Sequence, residues 1–180
     1  MKISRALAVA NGADVVILTV GDSACAHIGR CTCGEAADRI SLDAPGGQSA
    51  LIQAVLADNA TLAKTVLVHL GGRPLTWPNN SETAREFPAI LTAMVPGEEG
   101  AAAIVSVLAG DTAPSGRLTQ TWVRSVGYIR TNSHPHYQFP ALTTHDWRDV
   151  APGTASALFE FGELSSCPCA NVVALACHAD

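Results

Sequence analysis

The sequence predicts an α/β fold, a three-layer sandwich with a mostly parallel sheet. Three observations carry that expectation. Apolar runs recur at 14–20, 65–70 and 89–94. Segments whose apolar residues repeat at helical spacing lie between and after them. The runs are continuous rather than alternating, which suits strands buried on both faces of a parallel sheet. Strands that alternate with helices require crossover connections, and crossovers deliver parallel neighbours.

The elements follow in order. Met1 to Arg5 carries two positive charges, Ala6 to Ala10 is apolar, and Ala24-Cys25-Ala26 has the small residues of a leader-peptide cleavage site. Asn11, Gly12 and Asp14 interrupt the apolar centre that a leader needs. The expectation is therefore a helix, a turn at Gly12 and a buried strand from Asp14 to Val20. Leu51, Ile52, Val55 and Leu56 mark one face of the next helix, entered through Pro45, Gly46 and Gly47 and left at Asp58-Asn59. Thr65 to Leu70 and Ala89 to Met94 read as the second and third strands. Ala101, Ile104, Val105 and Leu108 make the stripe of a further helix. Pro96, Glu98 and Glu99 suit its start, and Gly110 suits a left-handed end. Beyond Asp111 the pattern loosens. Val123 to Ile129 reads as a short edge strand, and periodicity assigns the apolar run Val172 to Ala176 to no element.

A chain of 180 residues suits one domain with a real core. Only 15% of the residues are charged, which suggests a face normally covered by another domain. The net charge is −5 and no Lys/Arg run occurs, so no nucleic-acid partner is expected. No apolar stretch reaches the roughly 18 residues of a membrane span, so no membrane partner is expected either. The cysteines form two clusters, Cys25, Cys31 and Cys33, then Cys167, Cys169 and Cys177. Their even number permits disulfides without defining a pairing. Cys-x-Cys is tighter than zinc-ligand spacing, even with His27 and His178 nearby. Free thiols or a local disulfide are expected, and no metal.

Ligands of open α/β sheets bind beyond the carboxyl ends of the strands. The first strand ends at Val20, and a long loop runs from Gly21 to about Asp43, a length that is uncommon without a function. It contains Gly34-Glu35-Ala36-Ala37-Asp38-Arg39. Glu35 would serve as a general acid if partial burial raised its pKa. Arg39 would anchor the loop through a carboxylate such as Asp38. The bland alternative is that all three are solvated loop charges. No glycine-rich nucleotide motif occurs, so no cofactor is expected, and the esterase elbow Gly-x-Ser-x-Gly is absent. His134 and His136 flank Pro135 in what reads as an exposed turn. His69, inside an apolar run, reads as a hydrogen-bonded core residue. Trp77, Trp122 and Trp147 are either partial core or platforms for a sugar ring.

Several of these pieces resemble, in order, the C-terminal sandwich domain of family 3 glycoside hydrolases, the β-glucosidase and β-xylosidase group. They are Ala13 to Gly21; Gly34 to Arg39 followed by Leu42, Pro45, Gly46, Gln48, Leu51 and Ile52; Val66 to Val68 with Gly72-Arg73-Pro74; Ile90-Leu91 with Pro96 to Gly100; and Ala103-Ile104 through Gly110-Asp111, Pro114 to Leu118 and Gln120-Thr121-Trp122. The resemblance is clearest over 6–125. The domain is expected to span 1–165, with a tail of unknown structure at 166–180. Leu158 to Ser165 resembles the family's later Gly-rich string, except that Glu163 stands where Gly is usual.

The resemblance implies a retaining glycosidase. An aspartate from an N-terminal barrel attacks the anomeric carbon, and a glutamate from the sandwich domain acts as acid and then base, the two carboxyls about 5 Å apart. The family's loop glutamate falls on Glu35, while Asp38 and Arg39 support the loop. The resemblance also implies a domain truncated at its N-terminal edge, a β-linked oligosaccharide or glycoside as substrate, and a barrel domain acting in cis or trans. Without that barrel no normal hydrolysis is expected. The alternative is a non-catalytic carbohydrate-binding or interaction module. Gly72-Arg73-Pro74 and Gln120-Thr121-Trp122 lean towards the β-xylosidase-like members. Related whole enzymes are often secreted or periplasmic, and nothing in this sequence assigns a compartment.

Overall fold

The computed structural model describes residues 3–23, 32–33, 41–76, 86–123, 157–159, 161–163 and 172–174. Helix α1 (Ile3–Asn11) leads through a turn at Gly12 into strand β1 (Val16–Gly21). Helices α2 (Gln48–Leu56) and α3 (Asn59–Leu62) follow, then β2 (Thr65–Leu70), β3 (Ala89–Thr92) and α4 (Gly100–Ala109). Three short strands complete the described chain: β4 (Trp122–Val123), β5 (Ala157–Phe159) and β6 (Val172–Ala174).

The main sheet has four strands in the order β1-β2-β3-β6, and every pair is parallel. The fold is an α/β sandwich, as the alternation of strands and helices implies. Leu18 stands beside Leu67 and Leu67 beside Ile90, so one face of the sheet carries a continuous apolar row. Ile52 and Val55 of α2 pack with that row, and Leu51, Leu56 and Leu7 seal its margin. The α2 stripe is the one read from helical spacing. On the other face Val68 and Leu91 are buried too. The middle of the sheet is thus covered on both sides, as continuous apolar runs require.

Strand β1 departs from the expectation. The continuous apolar run predicts burial on both faces, but Val15 and Ile17 are 63% and 55% exposed while Leu18 and Val20 are buried. β1 pairs only with β2 among the described strands, so cover over Val68 and Leu91 does not reach it. A run of Val and Ile looks the same from the sequence whether one face is covered or two.

Helix α4 is also rotated from the predicted stripe. Ala101 and Val105 are exposed, whereas Ala103, Ile104, Val107 and Leu108 are partly covered. All these residues are apolar, so composition offers no contrast from which to choose the buried side. Gly110 does end the helix in the left-handed conformation, at φ 83°. The short helix α3 was not anticipated. α2 does end just before Asp58, at the C-cap Ala57, and Asp58 also serves as the N-cap of α3, where its side chain accepts from the backbone N–H groups of Ala60 and Thr61. Of the edge strand expected at 123–129, Val123 forms part of β4, which pairs antiparallel with β5 in a second sheet; the rest lies outside the described residues. The unassigned run at 172–176 supplies β6, which joins the main sheet beside β3.

Candidate active site at the carboxyl end of the sheet

The carboxyl ends of β1, β2 and β3 converge on a buried polar cluster. Its geometry begins with a close approach of backbones. A Cβ at Gly21 would lie 1.6 Å from the carbonyl oxygen of Leu70, so no side chain fits where β1 ends against β2. The next residue, Asp22, donates its N–H to that same carbonyl at 3.0 Å. Its carboxylate is fully buried and forms an ion pair with Arg73: Nε to Oδ2 at 2.7 Å and Nη2 to Oδ1 at 2.9 Å. One of these contacts, Nη2–H to Oδ1, is a hydrogen bond, and the other is a close charge contact beside it. Burial makes the pair costly to split, because either partner alone would be an uncompensated charge.

On the outer side of Gly21 sits Gln48, the first residue of α2. Its carboxamide nitrogen donates to Gly21 O at 2.9 Å, and its oxygen accepts from Gly21 N–H at 2.8 Å. One side chain thus satisfies both backbone groups at the end of β1, in the manner of a neighbouring strand.

His69, near the end of β2, is fully buried, and its Nδ1 lies 2.8 Å from Thr92 Oγ1 on β3. Burial pushes its pKa from 6.5 down to about 4; Arg73 adds to the shift and Asp22 opposes it. The ring is therefore neutral at neutral pH. Its edge meets Trp122, ring centres 5.0 Å apart, and Trp122 meets Phe159 at 5.8 Å. Both readings of His69 and Trp122 as core residues hold, since Trp122 is only 1% exposed and presents no face to a sugar. Beyond β3, Met94 adopts φ 52°, and its carbonyl accepts the N–H of Gly71 at 2.8 Å. A non-glycine residue in that region carries strain of about 1–3 kcal/mol and persists only where its surroundings hold it.

The loop that leaves β1 is tied at three described points. At its start is the Asp22–Arg73 pair. Further on, Thr32 N–H donates to Ser23 O at 3.0 Å and Ser23 N–H to Thr32 Oγ1 at 2.8 Å. At its return, Thr76 N–H donates to Leu42 O at 2.8 Å, and Thr76 Oγ1 donates to Asp43 Oδ1 at 2.7 Å. Both ends of the loop are therefore fastened to the segment 73–76 that follows β2. Glu35, Asp38 and Arg39 fall in sequence between these ties but outside the described residues; Trp77, Trp147, His134, His136 and every cysteine but Cys33 are outside the described residues as well. Cys33 is a free thiol. Among the described residues no group of His, Cys, Asp and Glu is placed to hold a metal ion, and no helix is long and apolar enough to cross a membrane.

An apolar groove of about 410 Å³ lies elsewhere, between α1 and β1. Among the described residues, Arg5 is the one ionisable side chain that lines it, and none of them brings a carboxylate for acid/base work. The buried ion pair lies instead at the carboxyl end of the sheet, the end where open α/β sheets bind ligands. Sequence reasoning missed Gln48, Asp22 and Arg73 as working parts. Asp22 and Arg73 are 51 positions apart, and no local pattern announces their pairing.

A parallel sheet joined by helical crossovers, with a polar cluster gathered at its carboxyl ends, defines an α/β sandwich domain. Residues 1–166 match the glycosyl hydrolase family 3 C-terminal domain, and the chain belongs to that family. It is 34% identical over 125 residues to a beta-xylosidase of Formosa agariphila, covering 69% of this chain and 16% of that protein. It is 40% identical over 128 residues to a periplasmic beta-glucosidase of Salmonella typhimurium, covering 71% of this chain and 15% of that one. In three dimensions it superposes on the beta-glucosidase of Kluyveromyces marxianus solved with glucose. That match has a TM-score of 0.56 and 29% identity, and covers 68% of this chain and 13% of the other. The chain thus corresponds to a C-terminal domain of enzymes of the β-glucosidase and β-xylosidase type, and spans about a sixth of the curated relatives it matches.

Proposed function

We propose that this chain supplies the acid/base carboxylate of a retaining β-glycosidase acting on terminal β-linked glucose or xylose. The observation that carries the proposal is the loop 22–43. It springs from the carboxyl end of β1 and is fastened at both ends to the segment after β2. Within it, Glu35 is the proposed catalytic residue, and Asp38 and Arg39 are its proposed supports.

The chemistry follows from that assignment. An aspartate of the barrel domain attacks the anomeric carbon as the glycosidic C–O bond breaks. The protonated carboxyl of Glu35 gives its proton to the departing oxygen. Glu35, now a carboxylate, takes a proton from water as the water attacks the anomeric carbon and frees the aspartate. Two displacements preserve the anomeric configuration. A loop carboxyl pressed against a partner domain loses water, and loss of water raises its pKa into the range a general acid needs. Because two carboxyls are required, residues 1–180 alone are proposed to be inactive until a family 3 barrel joins them.

The test is hydrolysis of aryl β-glucoside and β-xyloside by the 180-residue chain, alone and mixed with a family barrel domain. Turnover only in the mixture, with the first-formed sugar keeping its β configuration by NMR, is the expected result. Turnover by the isolated chain would contradict the need for the barrel. No turnover in either would turn attention to a sugar-binding module, although the burial of Trp122 removes one of the three platforms on which that reading leans.

A further inference from the structure

We infer that Gln48 is a positioning residue: its carboxamide is a latch that sets the direction in which the loop bearing Glu35 leaves the sheet. The inference rests on the reading of residues 22–43 as the acid/base loop and adds to it a residue outside that loop.

Three features converge on the latch. First, Gly21 is pressed against the carbonyl of Leu70 so closely that a Cβ would sit 1.6 Å from it, which fixes the inner side of the peptide. Second, Gln48 closes the outer side with two hydrogen bonds of 2.8 and 2.9 Å, one donated and one accepted. Third, the very next side chain, Asp22, is buried and held by Arg73. The peptide from Gly21 into Asp22 is therefore gripped from the outer edge, from the neighbouring strand and from the segment after β2.

The chemical demand on Gln48 is specific. Gly21 offers one donor and one acceptor on the same edge, and a carboxamide offers the complement of both. An apolar side chain of equal length leaves both groups unmatched, and a carboxylate matches the N–H but sets its lone pairs against the carbonyl. A protonated carboxylic acid again matches both. Gln48 sits at the start of α2, and α2 is anchored in the core by Ile52 and Val55. The latch is thus mounted on a rigid element, as a device that orients a catalytic group requires.

The test uses the 180-residue chain and two variants, Gln48→Met and Gln48→Glu. Amide hydrogen exchange is followed at pH 7.5 and at pH 5, corrected for the intrinsic rate. Gln48→Met is expected to speed exchange at residues 21–23, 32–33 and 41–43 by roughly tenfold or more at both pH values, with β2 and β3 unchanged. Gln48→Glu is expected to behave like Gln48→Met at pH 7.5 and to regain part of the protection at pH 5, because the Gly21 carbonyl facing its carboxyl favours the protonated form. With a barrel domain present, Gln48→Met is expected to slow alkyl glycosides, whose leaving groups need the proton, by roughly tenfold more than dinitrophenyl glycosides, which do not.

Unchanged exchange in Gln48→Met would overturn the latch. So would equal losses on both classes of glycoside, which is what a merely structural role produces. Glu35→Ala measured in parallel separates the two claims, because an unchanged rate there sinks the assignment of Glu35 without touching the exchange result.

Discussion

The sheet carries a polar network at each end of β1 and β2, and the two differ in what surrounds them. At the amino end, Lys64 Nζ donates to the carbonyls of Asn11 and Ala13 at 3.0 and 2.6 Å, and the Thr61 hydroxyl is shared between Asn11 Oδ1 at 2.7 Å and Asp58 Oδ2 at 3.1 Å. Asn11 is exposed, and Asp58 and Lys64 are partly exposed, so water remains an alternative partner for most of these groups. At the carboxyl end, Asp22 and His69 have no exposed side-chain surface, and Arg73 has little. The first network staples α1 and α3 to the strands. The second holds charge and strain in a dry setting, where the loss of one partner cannot be repaired by solvent. Similar bonds are thus cheap to lose at one end and expensive at the other.

The largest effect is expected from Arg73→Ala, which would leave the Asp22 carboxylate buried and unpaired. A loss of about 3–5 kcal/mol is expected in urea unfolding. The paired change Asp22→Leu with Arg73→Met is expected to lose less than Arg73→Ala alone, because no orphaned charge remains. If the paired change were the worse of the two, the contrast between the ends would fail.

Next in size is a pH effect at His69. Its folded pKa, about 4, lies below the ordinary 6.5, so the unfolded chain binds the proton more readily. The stabilisation is fully present above pH 6.5 and is lost as pH falls from 6.5 towards 4. A shift of that size corresponds to about 3 kcal/mol. Unfolding free energies measured at pH 7.5 and pH 4.5 should show most of this loss, and His69→Asn should flatten the difference.

The smallest effect belongs to the amino end. The Asp58 pKa is lowered chiefly by the Thr61 hydroxyl and then by the Thr61 N–H, with Asn11 and the Ala60 N–H contributing less and desolvation opposing them. Its contribution is present above the ordinary carboxylate range and fades as pH falls through the folded value. Asp58→Ala should lower Tm slightly at neutral pH through loss of the α3 cap, and by less than either change at the carboxyl end. A larger fall than that of Arg73→Ala would invert the comparison.

Much of the fold was legible in the sequence. The α2 stripe, β2 and the glycine that ends α4 were read from period, apolar run and turn chemistry, all of which are local. The exposed face of β1 was not legible, because cover depends on a strand's place in the sheet. The role of β6 was hidden for the same reason: its partner, β3, is distant in sequence. Of the site, the loop 22–43 and the core position of His69 could be read. The Asp22–Arg73 pair could not, since the two residues meet only once β1 and β2 are in register. Gln48 was visible as part of a motif, but its two hydrogen bonds to Gly21 depend on where α2 begins relative to the edge of β1.

The most direct measurement is the leaving-group dependence of Glu35→Ala in the presence of a family barrel domain. If Glu35 supplies the proton, hydrolysis of alkyl β-glycosides should fall by about a hundredfold or more, glycosyl transfer from dinitrophenyl glycosides should be largely spared, and added azide should restore turnover by replacing base-activated water. A Glu35→Ala protein that hydrolyses both classes of substrate at the unsubstituted rate, indifferent to azide, would contradict the account.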